Sequence, residues 1–213
     1  MVDKDKNRVN ILKGYNLLLY FAGSMIMSEP TEECITDFWS NGSLKKLPLT
    51  SSNPRFMIAA ALLRCSCDDK DLCRKTLSED YFRLFDLRGL PMAPPHESLY
   101  TPPNNDSGRY IQSTSEFYES YGWKPKKRNS VPDDHLGIEL LFLTHLIDQS
   151  MHIDDEPSYR EMKKEIRRFI EQHILSWVSE WNKKVQESAH TSCYKGIGTL
   201  IHACVEDIYG IMS

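Results

Sequence analysis

The chain has 213 residues, enough to bury a sizeable core within one domain. Hydrophobic residues make up 40% and charged residues 26%, which excludes a disordered chain, and ten glycines are few for a turn-rich β fold. A net charge of −4 excludes a protein built to bind a nucleic-acid backbone, which needs a basic face, and suits basic peptide partners.

The N-terminal segment imitates a secretory signal, with Lys4, Lys6, Arg8 and Lys13 ahead of an apolar run from Leu17 to Met27. Asp3 and Asp5 dilute its positive end, no small-x-small cleavage site follows, and a bilayer span takes roughly 20 apolar residues. The segment from Lys6 to Ser28 therefore reads as an amphipathic helix, and the chain as cytoplasmic without stable membrane insertion. Ser28-Glu29-Pro30 supplies a cap and an early proline for a helix running to about Trp39. Asn53-Pro54 does the same for Arg55 to Arg64, where Ala59-Ala60-Ala61-Leu62-Leu63 favours helix.

A further helix is expected from Asp69 to Phe85, with a break near Ser78. A proline-bearing loop from Asp86 to Asp106 follows, holding Pro91, Pro94, Pro95, Pro102 and Pro103. A loop of that length within a compact domain is functional or disordered, and its prolines favour order. Ser107 opens a helix ending at Gly122, and Trp123 to Val131 forms a basic loop with Lys124, Lys126, Lys127 and Arg128.

The segment from Pro132 to Gln149 is hydrophobic on nearly all sides and predicts a central helix wrapped by others. Glu156 to about Ser188 reads as one long helical region, its Glu156/Arg160 and Glu165/Arg168 pairs marking an exposed face. Arg167-Arg168 then reads as solvated surface. The last helix, about Thr191 to Tyr209, carries Ile197, Leu200, Ile201, Cys204, Val205 and Ile208 in one apolar stripe. No stretch alternates with period two long enough for a strand. The expectation is an all-α, single-domain multi-helix bundle over residues 1–213, with a central hydrophobic helix at about 132–149.

Metal and catalytic motifs are incomplete. Cys65, Cys67 and Cys73 have no zinc-finger spacing and no fourth ligand nearby, and the sequon at Asn41 reads as a turn. Lys195-Gly196-Ile197-Gly198 follows no strand and reads as a close approach of two helices. Asp134-His135 resembles the HD pair of metal-dependent phosphohydrolases, but His145 lies ten residues on. That places it ~15 Å along a helix, too far to share a metal with His135. No metal, cofactor or catalytic residue is expected.

Asp133-Asp134-His135 also reads in two other ways. One is a cap at the start of the central helix, where carboxylates meet the positive dipole end. The other is a polar spot at the mouth of an apolar groove, with Glu139 one turn further along needing a partner if buried.

Three blocks carry a resemblance to a known family. Val131 to Leu143 looks like the PDH-L-x-x-E-L-x-F signature of the TorD/DmsD-type redox-enzyme maturation chaperones. Tyr81-Phe-Arg-Leu-Phe85 with Gly89 to Tyr100 resembles that family's aromatic-x-x-L-F helix end and APP-x-E-S-x-Y loop. Phe169 to Trp177 resembles its F-x-x-x-H-(L/I)-x-x-W element. The blocks stand in the family's order and span most of residues 78–208, while residues 1–77 carry no signature. The resemblance implies an all-α bundle without a cofactor. It also implies a signal-peptide or client site at Tyr81, Leu84, Phe85, Pro95, His96, Asp134 and His135, with Glu97 and Tyr100 matching the pattern. The chain departs from that pattern at His96, where relatives usually place an aromatic ring.

The implied partner is a molybdenum-cofactor oxidoreductase, through its twin-arginine leader or its apo form before export. Two guanidinium groups ahead of an apolar helix call for carboxylates beside an apolar groove. Asp133, Asp134, Glu97 and Glu139 are the candidates. The alternatives are a helical adaptor that binds a folded partner through the Lys124–Arg128 loop, and an HD-like hydrolase. A monomer or a helix-swapped dimer fits the bundle.

Overall fold

A computed structural model describes residues 2–36, 46–64, 70–86, 88–101, 113–125 and 131–213. Cys65, Cys67, Asn41, Trp39, Ser107, Pro102, Pro103, Lys126, Lys127 and Arg128 lie outside them. Among the described residues the protein is all-α, and its one β feature is an isolated antiparallel bridge between His96 and His135.

Helix α1 (Val2–Met27) buries Leu12, Tyr15, Leu19, Ala22 and Ile26 at helical spacing, yet leaves Leu17 and Tyr20 exposed. It is therefore apolar on more than one face. After the short α2 (Glu32–Ile35), α3 (Pro54–Arg64) starts as its sequence predicts: Asn53 Oδ1 accepts from the Arg55 amide at 2.9 Å, and Pro54 takes the first turn. Helix α4 (Lys70–Phe85) runs without the break expected at Ser78. The Ser78 hydroxyl donates to Glu29 instead of competing for its own helix backbone.

Helix α5 (Thr114–Ser120) starts at a capping box closed by Ser113 and Glu116, and the expected start at Ser107 lies outside the described residues. Helix α6 (Leu136–Ser150) is buried along most of its length, as a wrapped central helix should be. It begins four residues later than the sequence suggests: residues 132–135 form a turn and the bridge. The helical region expected from Glu156 to about Ser188 consists of α7 (Glu156–Phe169), a π-helical turn (Ile170–Ile174) and α8 (Val178–Ser188).

Helix α9 (Ser192–Ile211) is capped by Thr191 and buried beyond its expected stripe, including Gly196, Gly198, Thr199 and Ala203. It packs on α1, α3 and α8, and α6 packs on α1 and α7. The two glycines explain the close approach. A Cβ at Gly196 would meet Leu63 of α3 at 2.9 Å, and one at Gly198 would meet Asn182 of α8 at 2.7 Å. Arg167 and Arg168 are not simply solvated, since their guanidinium groups lie over the Tyr209 and Phe117 rings at 3.9 and 4.5 Å. No helix among the described residues is long and apolar enough to cross a membrane.

Candidate functional site

The C-terminal end of α4 and two loops meet at one place. The loop after α4 returns along it, with Met92 and Ala93 donating backbone bonds to the Arg83 and Leu84 carbonyls at 3.0 and 2.9 Å. It then crosses the turn ahead of α6. Glu97 N donates to the Asp134 carbonyl at 2.9 Å, and Leu136 N donates to the Pro95 carbonyl at 2.8 Å. These two bonds flank the His96–His135 bridge and set the two rings edge to face, 5.0 Å apart.

The cap of α6 is His135, not either aspartate. Its Nδ1 accepts from the Gly137 amide at 3.0 Å, which puts the proton of the neutral ring on Nε2. Burial, and then the neighbouring His96, hold the His135 pKa down at about 3, so the ring is neutral throughout the physiological range. Asp134 serves the other loop. It accepts from Ser98 Oγ at 2.6 Å and Ser98 N at 3.3 Å, and lies 3.4 Å from His96 Nδ1. Burial alone would raise its pKa, but the His96 and Ser98 bonds outweigh it and bring it to about 2. Asp133 accepts from Ser115 Oγ at 2.7 Å, which ties the turn to α5.

The loop is held from behind. Glu97 lies 3.1 Å from His173 Nδ1 in the π-helical turn, and Tyr100 stacks on Trp177 with ring centres 5.2 Å apart. Lys184 lies over the Tyr100 ring at 4.4 Å, and Trp181 Nε1 donates to the Ala93 carbonyl at 3.1 Å. Asp80, one residue before Tyr81, anchors α4 to α9 by accepting from Thr191 N, Thr191 Oγ1 and His190 N. Burial opposes its charge, but these donors and Arg83 keep its pKa below the ordinary aspartate value.

In front of this frame opens a cleft of about 350 Å³. Tyr81, Phe85, His96 and His135 line it, together with Met27, Asp86, Arg88, Val131 and Pro132. The structure thus gathers four of the expected site residues on one surface, with Asp134 at the back of His96. Pro95 is buried and contributes its carbonyl. Leu84 and Glu139 are fully buried beneath the cleft, and Glu97 and Tyr100 face their supports.

Sequence reasoning missed Met27, which comes from the distant α1, and the Asp86–Arg88 pair at 2.8 Å. It also missed Asp80 and Ser98 as supports. His173 and Trp177 stood within a recognised block, so that block was the signal for their role. Phe82, which meets the Tyr81 ring edge to face, is partly exposed, and the loop after α4 leaves Leu90, Met92 and Leu99 exposed, Leu90 at 97%. Among the described residues no three His, Cys, Asp or Glu side chains converge as a metal site.

A small cleft lined by four aromatic or imidazole rings is thus set in an all-helical frame. A family model described as nitrate reductase delta subunit matches residues 55–183, and the chain belongs to that family. Curated relatives called "Chaperone protein TorD" match as well. The one from Vibrio cholerae is 25% identical over 138 residues, 65% of this chain and 63% of the relative. That from Psychrobacter sp. is 31% identical over 134 residues, 62% and 60% of the two chains. That from Aliivibrio salmonicida is 28% identical over 112 residues, 52% of each. The match to the Vibrio cholerae and Psychrobacter relatives spans about three fifths of their length. The family match begins at residue 55, ahead of the three sequence blocks, and leaves α1 outside.

Proposed function

We propose that this chain is a cytoplasmic maturation chaperone, not an enzyme, for a molybdenum-cofactor oxidoreductase. It binds the twin-arginine leader, the apo form or both, and no cofactor of its own takes part. The observation that carries the reading is the convergence of two of the three sequence blocks on the cleft, with the third bracing it from behind. The relatives named as chaperones lend the class. About 350 Å³ is too little for a whole leader helix but suits one or two anchoring side chains.

The cleft offers a leader arginine one carboxylate, Asp86, which Arg88 of the same chain already holds. A leader guanidinium therefore competes with Arg88. Titration of a twin-arginine leader, with its twin-lysine counterpart as control, tests this. Asp86→Asn should weaken the arginine leader about three- to ten-fold, and Arg88→Gln should tighten it by a few-fold. Equal affinity of both variants and the parent protein would remove the cleft from leader recognition. Binding of the folded, leaderless enzyme with no measurable affinity for the leader or the apo form would favour the adaptor reading.

A further inference from the structure

The outward face of α1 carries Leu17, Tyr20, Ser24 and Met27 at helical spacing, with Leu17 and Tyr20 at 58% and 61% exposure. From Tyr20 onward this stripe forms one wall of a groove of about 410 Å³. Trp123, Pro125 and the α6 residues Ile138 and Leu141 make the opposite wall. Met27 belongs to this groove and to the cleft described above, so the two adjoin there. The Ser24 hydroxyl donates to the Phe21 carbonyl at 2.7 Å and offers the groove no donor.

The stripe from Leu17 to Met27 is ~15 Å long, about three helical turns. Exposed apolar surface arranged so regularly, against a second apolar wall, marks an interaction surface. Charge narrows the occupant. Lys124 is the one charged side chain among the described lining residues, and no carboxylate lines the groove. Lys13 is exposed four residues before Leu17, one turn back along the same helix. The exposed Asp148 of α6, which accepts from Asn16 Nδ2 at 2.9 Å, lies outside the groove lining.

We propose that this groove is a second docking surface, and that its occupant is a short amphipathic helix of a partner protein. One face of that helix is apolar, and carboxylates flank it. A twin-arginine segment carries the wrong charge for this surface, so the inference does not depend on leader binding at the cleft.

Two peptides of about fifteen residues, sharing a leucine face but flanked by Glu in one and Lys in the other, provide the test. Calorimetric titration should show the Glu peptide binding, with affinity falling as salt rises. Tyr20→Ala should weaken it roughly ten-fold and Lys124→Glu about five-fold, with melting temperatures unchanged because both side chains are exposed. Leader affinity measured on the same variants should stay constant, which keeps a failure here distinct from a failure at the cleft. Equal binding of the Lys peptide, or no effect of Lys124→Glu, would overturn the proposal. So would a dimer in sedimentation that Tyr20→Ala dissociates, which would assign the stripe to a second copy of the chain.

Discussion

Glu139 sits on an otherwise apolar stretch of α6, fully buried, with Glu97 the side chain its carboxyl group faces as a hydrogen-bond partner. Burial first, then the charges of Glu97 and Asp134, push its pKa well above the ordinary glutamate value and favour the protonated form. The unfolded chain releases that proton above about pH 4.5, so the folded form loses stability as pH rises beyond it. His135 and Asp134 act on the other flank. With folded pKa values of about 3 and about 2, below their ordinary values, they cost stability as pH falls through 6.5 and 3.8 respectively. Glu139→Gln should therefore raise the melting temperature at pH 8 more than at pH 5. Melts across that range check it, and an equal shift at both values would mean that Glu139 is ionised in the folded protein.

At the scale of elements, the contact between α1 and α6 depends on two glycines. Gly23 faces the backbone of Gly137, and a Cβ on Gly137 would stand 2.2 Å from Met27 Cγ and 3.1 Å from the Gly23 carbonyl. Alanine gains at most about 1 kcal/mol from helix propensity. Overpacking against Met27, with the Gly23 carbonyl behind, costs about 1–3 kcal/mol, so overpacking wins. Gly137→Ala should destabilise the protein by about 1–2 kcal/mol in denaturant melts. Because Met27 lines both clefts, the same variant should disturb leader and peptide binding together.

Most helices were legible from periodicity and caps, as at Asn53-Pro54, Thr191 and the wrapped α6. The capping box at Ser113 and Glu116 was not among the expected caps. The late start of α6 was not legible. Asp133 and Asp134 look like caps locally, but Ser115, Ser98 and His96 draw their carboxylates to other elements.

At the scale of the molecule, the site residues fall into those that face the cleft and those that hold it open. Leu84 is fully buried and Tyr81 half-buried at the cleft wall, though both belong to one block. Leu84→Ala should lower stability by about 2–5 kcal/mol, and leader binding only through unfolding. Tyr81→Ala should lower leader affinity roughly ten-fold with little change in melting temperature. Paired melts and titrations separate the two, and a stable Leu84→Ala protein with weakened binding would place Leu84 in the site.

The chain's own pattern determined the helical class, the burial of α6 and the residues that gather around His135, because period, caps and local motifs act over a few neighbouring residues. Family membership was legible in three blocks for the same reason. Only the tertiary structure decided which of those residues face outward. Glu97 meets His173 across 76 positions of chain, and Asp80 meets Thr191 across 111. Met27 reaches the cleft from a helix with no motif at all. Such partners are chosen by packing geometry over long separations, which no local spacing encodes.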